Sequence, residues 1–386
     1  MPSDDTRVVA FCGTRGLPAN YGGFETAVDE ISRRFVASGW TCDVFCRRSS
    51  GPGRAELPDE HEHRRLVYVD GSRRSTLDTV VSSIQTGLRL FRQRHRYAHV
   101  FWFNNANLPG ILLTRIAGIP MTVNTDGLEW RRAKWRAPFK LYYVASSLLI
   151  SGVCKTLVSD SVAIQTFYRE RFFKRTTFVP YGGPSPVAVT EARELEILRE
   201  LGLEPGRYLL QITRVEPDNL PVPIARAFQD SGLHEQGFAM VSIGLRDKTP
   251  YAASLIALDG ERGVRVRPAI YDPVVLQVLR KHCRCYLHGN SVGGTNPALL
   301  EAMTVCPRVA AIDCEFSREV LGETGWFFTL ANAAEVIRGV AVAPDRSAEM
   351  QARIAQHYQW SAVSACYLDL ASGAPADYRA KLAALR

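Results

Sequence analysis

The chain lacks any apolar run long enough to cross a bilayer. Its longest, 141–154, covers 14 residues between Lys140 and Lys155, where a spanning helix needs about 20. That run reads as a buried or interfacial helix. A leader pattern is also missing, since Asp4 and Asp5 stand just ahead of a short strand. Low-complexity tracts and short-period repeats are absent. No zinc-finger, RRM or KH signature occurs, so nucleic acid is not an expected partner. The expected setting is cytoplasmic. Nine cysteines are an odd number, and Cys12, Cys42, Cys46, Cys154 and Cys314 lie within apolar stretches. They read as reduced, buried thiols rather than a disulfide framework.

What is present is a soluble globular composition, 46% hydrophobic and 22% charged over 386 residues. At roughly 100–200 residues per domain, two domains are expected. The net charge of +8 is uneven: residues 1–180 carry 26 Lys and Arg against 16 Asp and Glu, and the remainder 21 against 23. A basic first half fits either an anionic partner, such as the inner face of a membrane, or simply solvated arginine faces. Two clusters offer metal chemistry. Cys283 and Cys285 flank Arg284 near His282 and His288, but on a strand they read as core. Asp59-Glu60-His61-Glu62-His63 either binds a cation or is a solvated loop.

Short apolar strands alternate with helix-period segments. In the first half, strands are expected over 7–12, 41–46, 66–69, 100–103 and 121–124, with helices near 24–38 and 77–94. The run Val179-Pro-Tyr-Gly-Gly-Pro-Ser-Pro186 then breaks the pattern. Strands follow over 208–212, 239–244, 264–267, 285–288 and 309–313, with helices over 222–229, 273–281 and 296–304. The expectation is an α/β chain of two Rossmann-like doubly wound domains facing across a cleft, with ligands at the carboxyl ends of strands. Domain limits are expected at 1–180 and 181–355, with 356–386 as a helical segment returning to the first domain.

Four segments carry candidate chemistry. The first, Gly13-Thr-Arg-Gly-Leu-Pro-Ala-Asn-Tyr-Gly-Gly-Phe-Glu25, links strand to helix, where glycines let backbone N–H groups approach a ligand. The alternative is a structural turn. Its spacing is not G-x-G-x-x-G, and the second strand ends in Arg47-Arg48 rather than an acid, which disfavours a nicotinamide cofactor. The second segment runs from Asn124 to Trp135. Asp126 and Glu129 are placed to hold sugar or acceptor hydroxyls, and the basic and aromatic residues beyond either lie against a membrane or form a solvated helix. The third, Gln211 to Asn219, offers Arg214 for a bidentate phosphate contact or for an ion pair with Glu216 or Asp218. The fourth, His288-Gly-Asn-Ser-Val-Gly-Gly-Thr-Asn-Pro297 through Glu301 to Met303, turns from a strand into a helix opening with proline. Such a turn aims free N–H groups and a positive helix end at a diphosphate. Glu301, one turn into the helix, is placed for ribose hydroxyls.

In these four segments the chain resembles retaining GT-B glycosyltransferases. More narrowly, it is similar to bacterial rhamnosyltransferases that open with a Gly-Thr-Arg-Gly-x-Pro-x-x-Tyr-Gly-Gly-Phe-Glu loop. The resemblance covers residues 7–330, and Tyr358-Gln-Trp360 is similar to the point where the last helix returns to the first domain. It implies a glycosyltransferase that takes L-rhamnose from dTDP-L-rhamnose to a saccharide or lipid-linked acceptor in surface polysaccharide synthesis, on the inner membrane face, with retention. Donor contacts implied are Arg214, Asn219, Gly244, Tyr271 at the base, Ser291, Gly293, Gly294 and Thr295 at the diphosphate, Asn296, and Glu301 at the ribose. Acceptor-side residues implied are Gly13, Arg15, Gly16, Tyr21, Gly22, Gly23, Glu25 and Glu129, with Asp126 and Arg214 catalytic.

Three positions depart from the general pattern. Gly293 stands where the first Glu of Glu-x7-Glu is usual, Asn219 or Asp218 where Lys is usual, and Asn290 where His is common. There is no Asp-x-Asp motif, so a metal-independent reaction with no cofactor is expected, the leaving diphosphate being stabilised by Arg214, amides and a helix end. Two other readings remain: a sugar-nucleotide epimerase of the same fold, and an inactive paralogue acting as a scaffold.

Overall fold

The computed structural model describes residues 7–19, 22–48, 58–72, 77–125, 127–133, 135–246 and 249–385. The chain forms two compact units. Unit 1 is Met1–Trp130, Trp135–Tyr181 and Gln359–Arg386; unit 2 is Arg131–Lys134 and Gly182–Tyr358. The break thus falls after Tyr181, and the last segment begins at Gln359 rather than 356. The later start reflects the preceding helix, which stays with unit 2 because Arg353 donates to the Val320 and Glu319 carbonyls there.

In unit 1 the elements are β1 (Val8–Cys12), α1 (Gly23–Ala37), β2 (Thr41–Arg48), β3 (Glu60–His61), β4 (Arg64–Asp70), α2 (Asp78–Arg92), β5 (His99–Phe103), α3 (Leu108–Ile116), β6 (Met121–Asn124), α4 (Ala137–Val153), β7 (Thr156–Ser159), α5 (Val162–Arg171) and β8 (Thr177–Phe178). The sheet order is β3-β4-β2-β1-β5-β6-β7-β8, parallel except for β3. Strands such as Val-Val-Ala-Phe-Cys are buried on both sides, as a parallel sheet between helix layers requires. On the sheet, Phe11 stacks on Phe101 at 5.3 Å. Asp43 is fully buried and held by Arg65, Arg96 at 3.2 Å and the Tyr97 hydroxyl at 2.9 Å.

Unit 2 contains α6 (Glu191–Glu200), β9 (Tyr208–Ile212), α7 (Pro221–Asp230), β10 (Ala239–Leu245), α8 (Pro250–Ile256), β11 (Val264–Pro268), α9 (Pro273–His282), β12 (Cys285–His288), α10 (Pro297–Val305), β13 (Val309–Ile312), α11 (Glu315–Leu321), β14 (Trp326–Phe328), α12 (Ala333–Val342) and α13 (Ser347–His357). The chain ends in unit 1 with α14 (Trp360–Ala371) and α15 (Tyr378–Ala383). The Tyr367 hydroxyl of α14 accepts from Asn124 Nδ2 at the end of β6, at 2.8 Å. The second sheet is parallel in the order β11-β10-β9-β12-β13-β14.

Each order contains one reversal. In unit 1 the chain moves one way from β1 and resumes on its other side at β5; in unit 2 the same happens between β9 and β12. At such a switch point adjacent connections leave in opposite directions and open a crevice at the carboxyl ends of the two strands.

Candidate functional site

In unit 2 the crevice lies between the loop after β9 and the loop after β12. These are the third and fourth segments singled out above. They are tied together, since the Thr213 hydroxyl donates to Asn290 Oδ1 at 3.2 Å, and Ser291 donates to the Asp218 carbonyl through its amide at 3.0 Å and its hydroxyl at 2.9 Å. Arg214 is partly exposed and lies 3.5 Å from Glu216 Oε1, the ion pair that was one of its two expected roles. Asn219 does not present its side chain to a ligand. It is buried and donates to the Arg214 carbonyl at 2.9 Å, which makes it a support for the arginine loop rather than a contact. Gly244 acts by close approach: at φ +137°, an added Cβ would meet the Thr213 carbonyl oxygen at 1.8 Å. Gly289 is similar, with the Asn219 carbonyl 2.3 Å from an added Cβ. Thus the arginine loop is packed flush between two glycine backbones.

The loop after β12 leads into α10 as the sequence implied. Asn296 caps the helix, its side chain accepting from the Ala298 amide at 3.0 Å, and Pro297 fills the first turn, where a missing N–H is harmless. Thr295 is buried, while Gly293 and Gly294 are partly exposed. Gly293 has φ +151°, a conformation that disfavours the Glu of the general pattern. A Cβ there would lie 3.9 Å from Arg132 Nη2. Arg132 is a residue that sequence reasoning misplaced. Its segment is expected either against a membrane or as a solvated helix, yet Arg132 is buried in unit 2 beside the glycine turn. Its neighbour Ala133 donates to Asp218 Oδ1 at 2.8 Å, and Arg131 pairs with Glu315 at 3.2 Å. No local sequence signal announces this, because the contact is made across the chain.

Glu301 is anchored by Arg280 of α9, a residue also missed. Arg280 is buried; burial works against its charge, but the Glu301 carboxylate together with Tyr286, Cys306 and Cys283 outweighs that and holds the guanidinium above its ordinary range. Glu301 itself is 30% exposed in its side chain. Its carboxylate is held by the Arg280 guanidinium while part of the side chain stays open to solvent. Beneath the turn, His288 is buried and pushed down to about 3 by desolvation, so it is neutral at physiological pH. With Asn290, Val292, Gly293, Gly294 and Asn296 it lines a cavity of about 10 Å³, room for a single water. Tyr271 is exposed, with the Arg246 guanidinium 5.3 Å from its ring centroid, a cation–π contact.

In unit 1 the glycine loop sits at the other switch point. Gly13 (φ +94°) would clash through a Cβ with the Phe103 carbonyl at 2.1 Å, and Gly16 (φ +101°) with Cys46 at 2.3 Å. Both are demanded by packing on β5 and β2, as the structural-turn reading holds for them. The Gly13 carbonyl accepts from Asn107 Nδ2 at 3.2 Å and from Arg47 at 3.3 Å, so the strand-end arginine serves to fix the loop. Gly22 caps α1 and Gly23 opens it. Glu25 is buried and accepts from the Arg15 amide at 2.9 Å. Burial raises its carboxyl above the usual range, although the Arg15 amide and the charges of Arg47 and Arg15 pull the other way. The Arg15 side chain is exposed. Tyr21 and Asp126 lie outside the described residues. Glu129 accepts from the Trp135 indole at 3.1 Å. Trp135 stacks on Phe139 at 5.1 Å and Trp130 packs on Phe167 at 5.5 Å, so these indoles pack within the unit.

Cys283 and Cys285 are core: both are buried, and Cys283 Sγ lies 3.9 Å from the buried Cys306 Sγ. His61 and Glu62 of the acidic loop meet Asp29 closely enough to share an ion. Fully buried Arg64 already bonds Asp29 and Glu62, and Arg33 reaches Asp29 at 2.9 Å and Glu62 at 3.2 Å, so guanidiniums supply the positive charge there.

Two Rossmann-like doubly wound units in one chain define the GT-B class of fold. Comparison with solved structures shows that fold. A sucrose-phosphate synthase from Thermosynechococcus elongatus matches with a TM-score of 0.74 at 15% identity, covering 95% of this chain and 98% of that one. Anabaena HepE, solved with UDP and glucose, matches at 0.71 and 14% identity over 95% and 99%. An α,α-trehalose 6-phosphate synthase from Burkholderia multivorans matches at 0.65 and 13% over 95% and 98%. By sequence, residues 6–184 match a family described as a domain of unknown function (DUF1972). No curated protein matches the chain by sequence.

Proposed function

We propose that the protein is a glycosyltransferase that binds a nucleoside-diphosphate sugar at the switch point of unit 2 and transfers the sugar to a hydroxyl acceptor. The observation that carries this is the pairing, at one crevice, of the Arg214 loop with the Gly293-Gly294-Thr295 turn and the capped N-terminus of α10. Amide hydrogens, a helix end and guanidiniums are what two linked phosphates require. Glu301, fixed by Arg280, serves the ribose, and Tyr271 the base. A structure of the same fold solved with UDP and glucose, that of Anabaena HepE, supports the donor class.

The finer reading is L-rhamnose from dTDP-L-rhamnose, passed with retention to a saccharide or lipid-linked acceptor in surface polysaccharide synthesis at a membrane face. The bond from the anomeric carbon to the diphosphate oxygen breaks with its electron pair going to the diphosphate. The acceptor oxygen bonds the same face of the carbon, and its proton passes to the departing phosphate oxygen. Arg214 meets the charge that develops there, with Asp126 orienting the acceptor. No metal is assigned a part; a strict Mn²⁺ requirement after dialysis against chelator would overturn that.

Calorimetry with dTDP-rhamnose, UDP-glucose and GDP-mannose, followed by nucleotide release with and without acceptor, tests the reading. Tight binding of one donor and acceptor-dependent release are expected. Loss of a charge-assisted phosphate contact in Arg214→Ala should weaken donor binding at least about ten-fold. Donor turnover without acceptor would favour an epimerase, and absence of donor binding would leave a scaffold.

A further inference from the structure

Three neighbouring helices of unit 1 are built inside out. The buried residues of α2 are Ser82, Ser83, Thr86, Gly87 and Leu90; those of α3 are Gly110, Ile111 and Thr114. Those of α4 are Tyr143, Ser146, Ser147, Ile150 and Ser151. Their hydroxyls are satisfied internally: Thr86 donates to the Ser82 carbonyl at 2.9 Å, Thr114 to Gly110 at 2.8 Å and Ser151 to Ser147 at 2.7 Å, while Asn105 Nδ2 donates to Ser147 at 2.9 Å. Small residues let α2 and α3 touch, for a Cβ on Gly87 would meet Gly110 Cα at 2.9 Å. Leu90, Ile111, Tyr143 and Ile150 apart, large apolar residues of these helices face outward. Ile84, Leu88 and Phe91 of α2, Ile116 of α3 and Leu141, Leu148 and Leu149 of α4 are all at least 38% exposed, and Ile116 reaches 72%. A helix docked on a soluble core normally buries that stripe. Small and hydroxylated residues between helices, with Leu, Ile and Phe outward, is the arrangement found where lipid is the neighbour.

Charge completes the pattern. No Asp or Glu occurs between Asp78 and Asp126, nor between Glu129 and Asp160, while Arg89, Arg92, Arg115, Arg136, Lys140 and Lys155 do. Among the described residues, no helix is long and apolar enough to cross a membrane. We propose that the outer face of α2, α3 and α4 docks onto an anionic phospholipid bilayer, its leucines entering the headgroup–acyl boundary and its arginines and lysines meeting lipid phosphates. This deepens the membrane-side part of the proposed function, on residues separate from the donor site.

Sedimentation of the full chain with sucrose-loaded vesicles tests it. Vesicles of phosphatidylcholine with phosphatidylglycerol should bind the protein, pure phosphatidylcholine far less, and binding should fall as salt rises. Leu141→Gln/Leu148→Gln/Leu149→Gln should lower partitioning at least about ten-fold, and Ile84→Gln/Leu88→Gln should weaken it independently, both with unchanged melting temperature. Equal partitioning of the variants and the parent would overturn the proposal. So would no binding to phosphatidylglycerol vesicles, or sedimentation-velocity dimers that the same substitutions abolish. Donor calorimetry on the same preparations separates the two readings: vesicle binding without donor binding supports this surface and sinks the transferase.

Discussion

Removing Glu301 should damage the fold more than removing its partner. Arg280 is buried with Glu301 as its counter-ion, whereas the Glu301 side chain is 30% exposed. In Glu301→Ala the guanidinium, which cannot deprotonate, is left desolvated without compensation, a loss of about 3–5 kcal/mol. In Arg280→Met the charge and its desolvation disappear together, and water reaches the remaining carboxylate. That change should cost about 1–2 kcal/mol, mostly through the lost ion pair. For a unit of this size the first value lowers the melting temperature by roughly 6–20 °C. The double variant should be more stable than Glu301→Ala alone. Urea unfolding of the parent, both singles and the double gives the cycle directly. Donor calorimetry on Arg280→Met then separates roles, because the carboxylate survives but loses its fixed orientation, and affinity should fall while the fold persists. If Glu301→Ala proves no more destabilising than Arg280→Met, the pair is not organised as described and the ribose assignment loses its support.

Gly244→Ala should lose about 1–3 kcal/mol from backbone strain, with more from the clash with Thr213, and donor affinity should fall with it; urea midpoints and calorimetry check this, and wild-type values would refute the packing argument. Asp43 supplies a pH dependence. Burial would raise its carboxyl, but hydrogen bonds from Arg65, Arg96 and Tyr97 outweigh that and hold it below the usual range. With the folded value beneath an unfolded one of about 3.9, its stabilisation is present above about pH 4 and lost as the pH falls through the depressed pKa. Asp43→Asn should therefore be less stable at neutral pH and show a flatter fall between about pH 4 and 2, read from urea midpoints across pH.

Local pattern was enough for the frame. The run Val8–Cys12 is apolar on both faces and Tyr208–Ile212 nearly so, with Gln211 its one polar residue, as strands of a parallel sheet between helix layers are. Asn296-Pro297 marked the start of α10 through the chemistry of a cap and a first turn. These signals sit within a few residues of one another, so periodicity and turn chemistry expose them. The partners were decided elsewhere. Arg132 reaches Gly293, and Arg280 reaches Glu301 across 20 intervening positions, only because the chain folds back on itself. Asn219 is turned inward, where its side chain satisfies the Arg214 carbonyl. The serine-lined inner faces of α2 and α4 were equally hidden, since a helical stripe shows which residues share a face but not which face meets the core. Secondary structure and loop chemistry follow from neighbours along the chain; charge pairing, side-chain direction and the choice of buried face follow from neighbours in space, which only packing assigns.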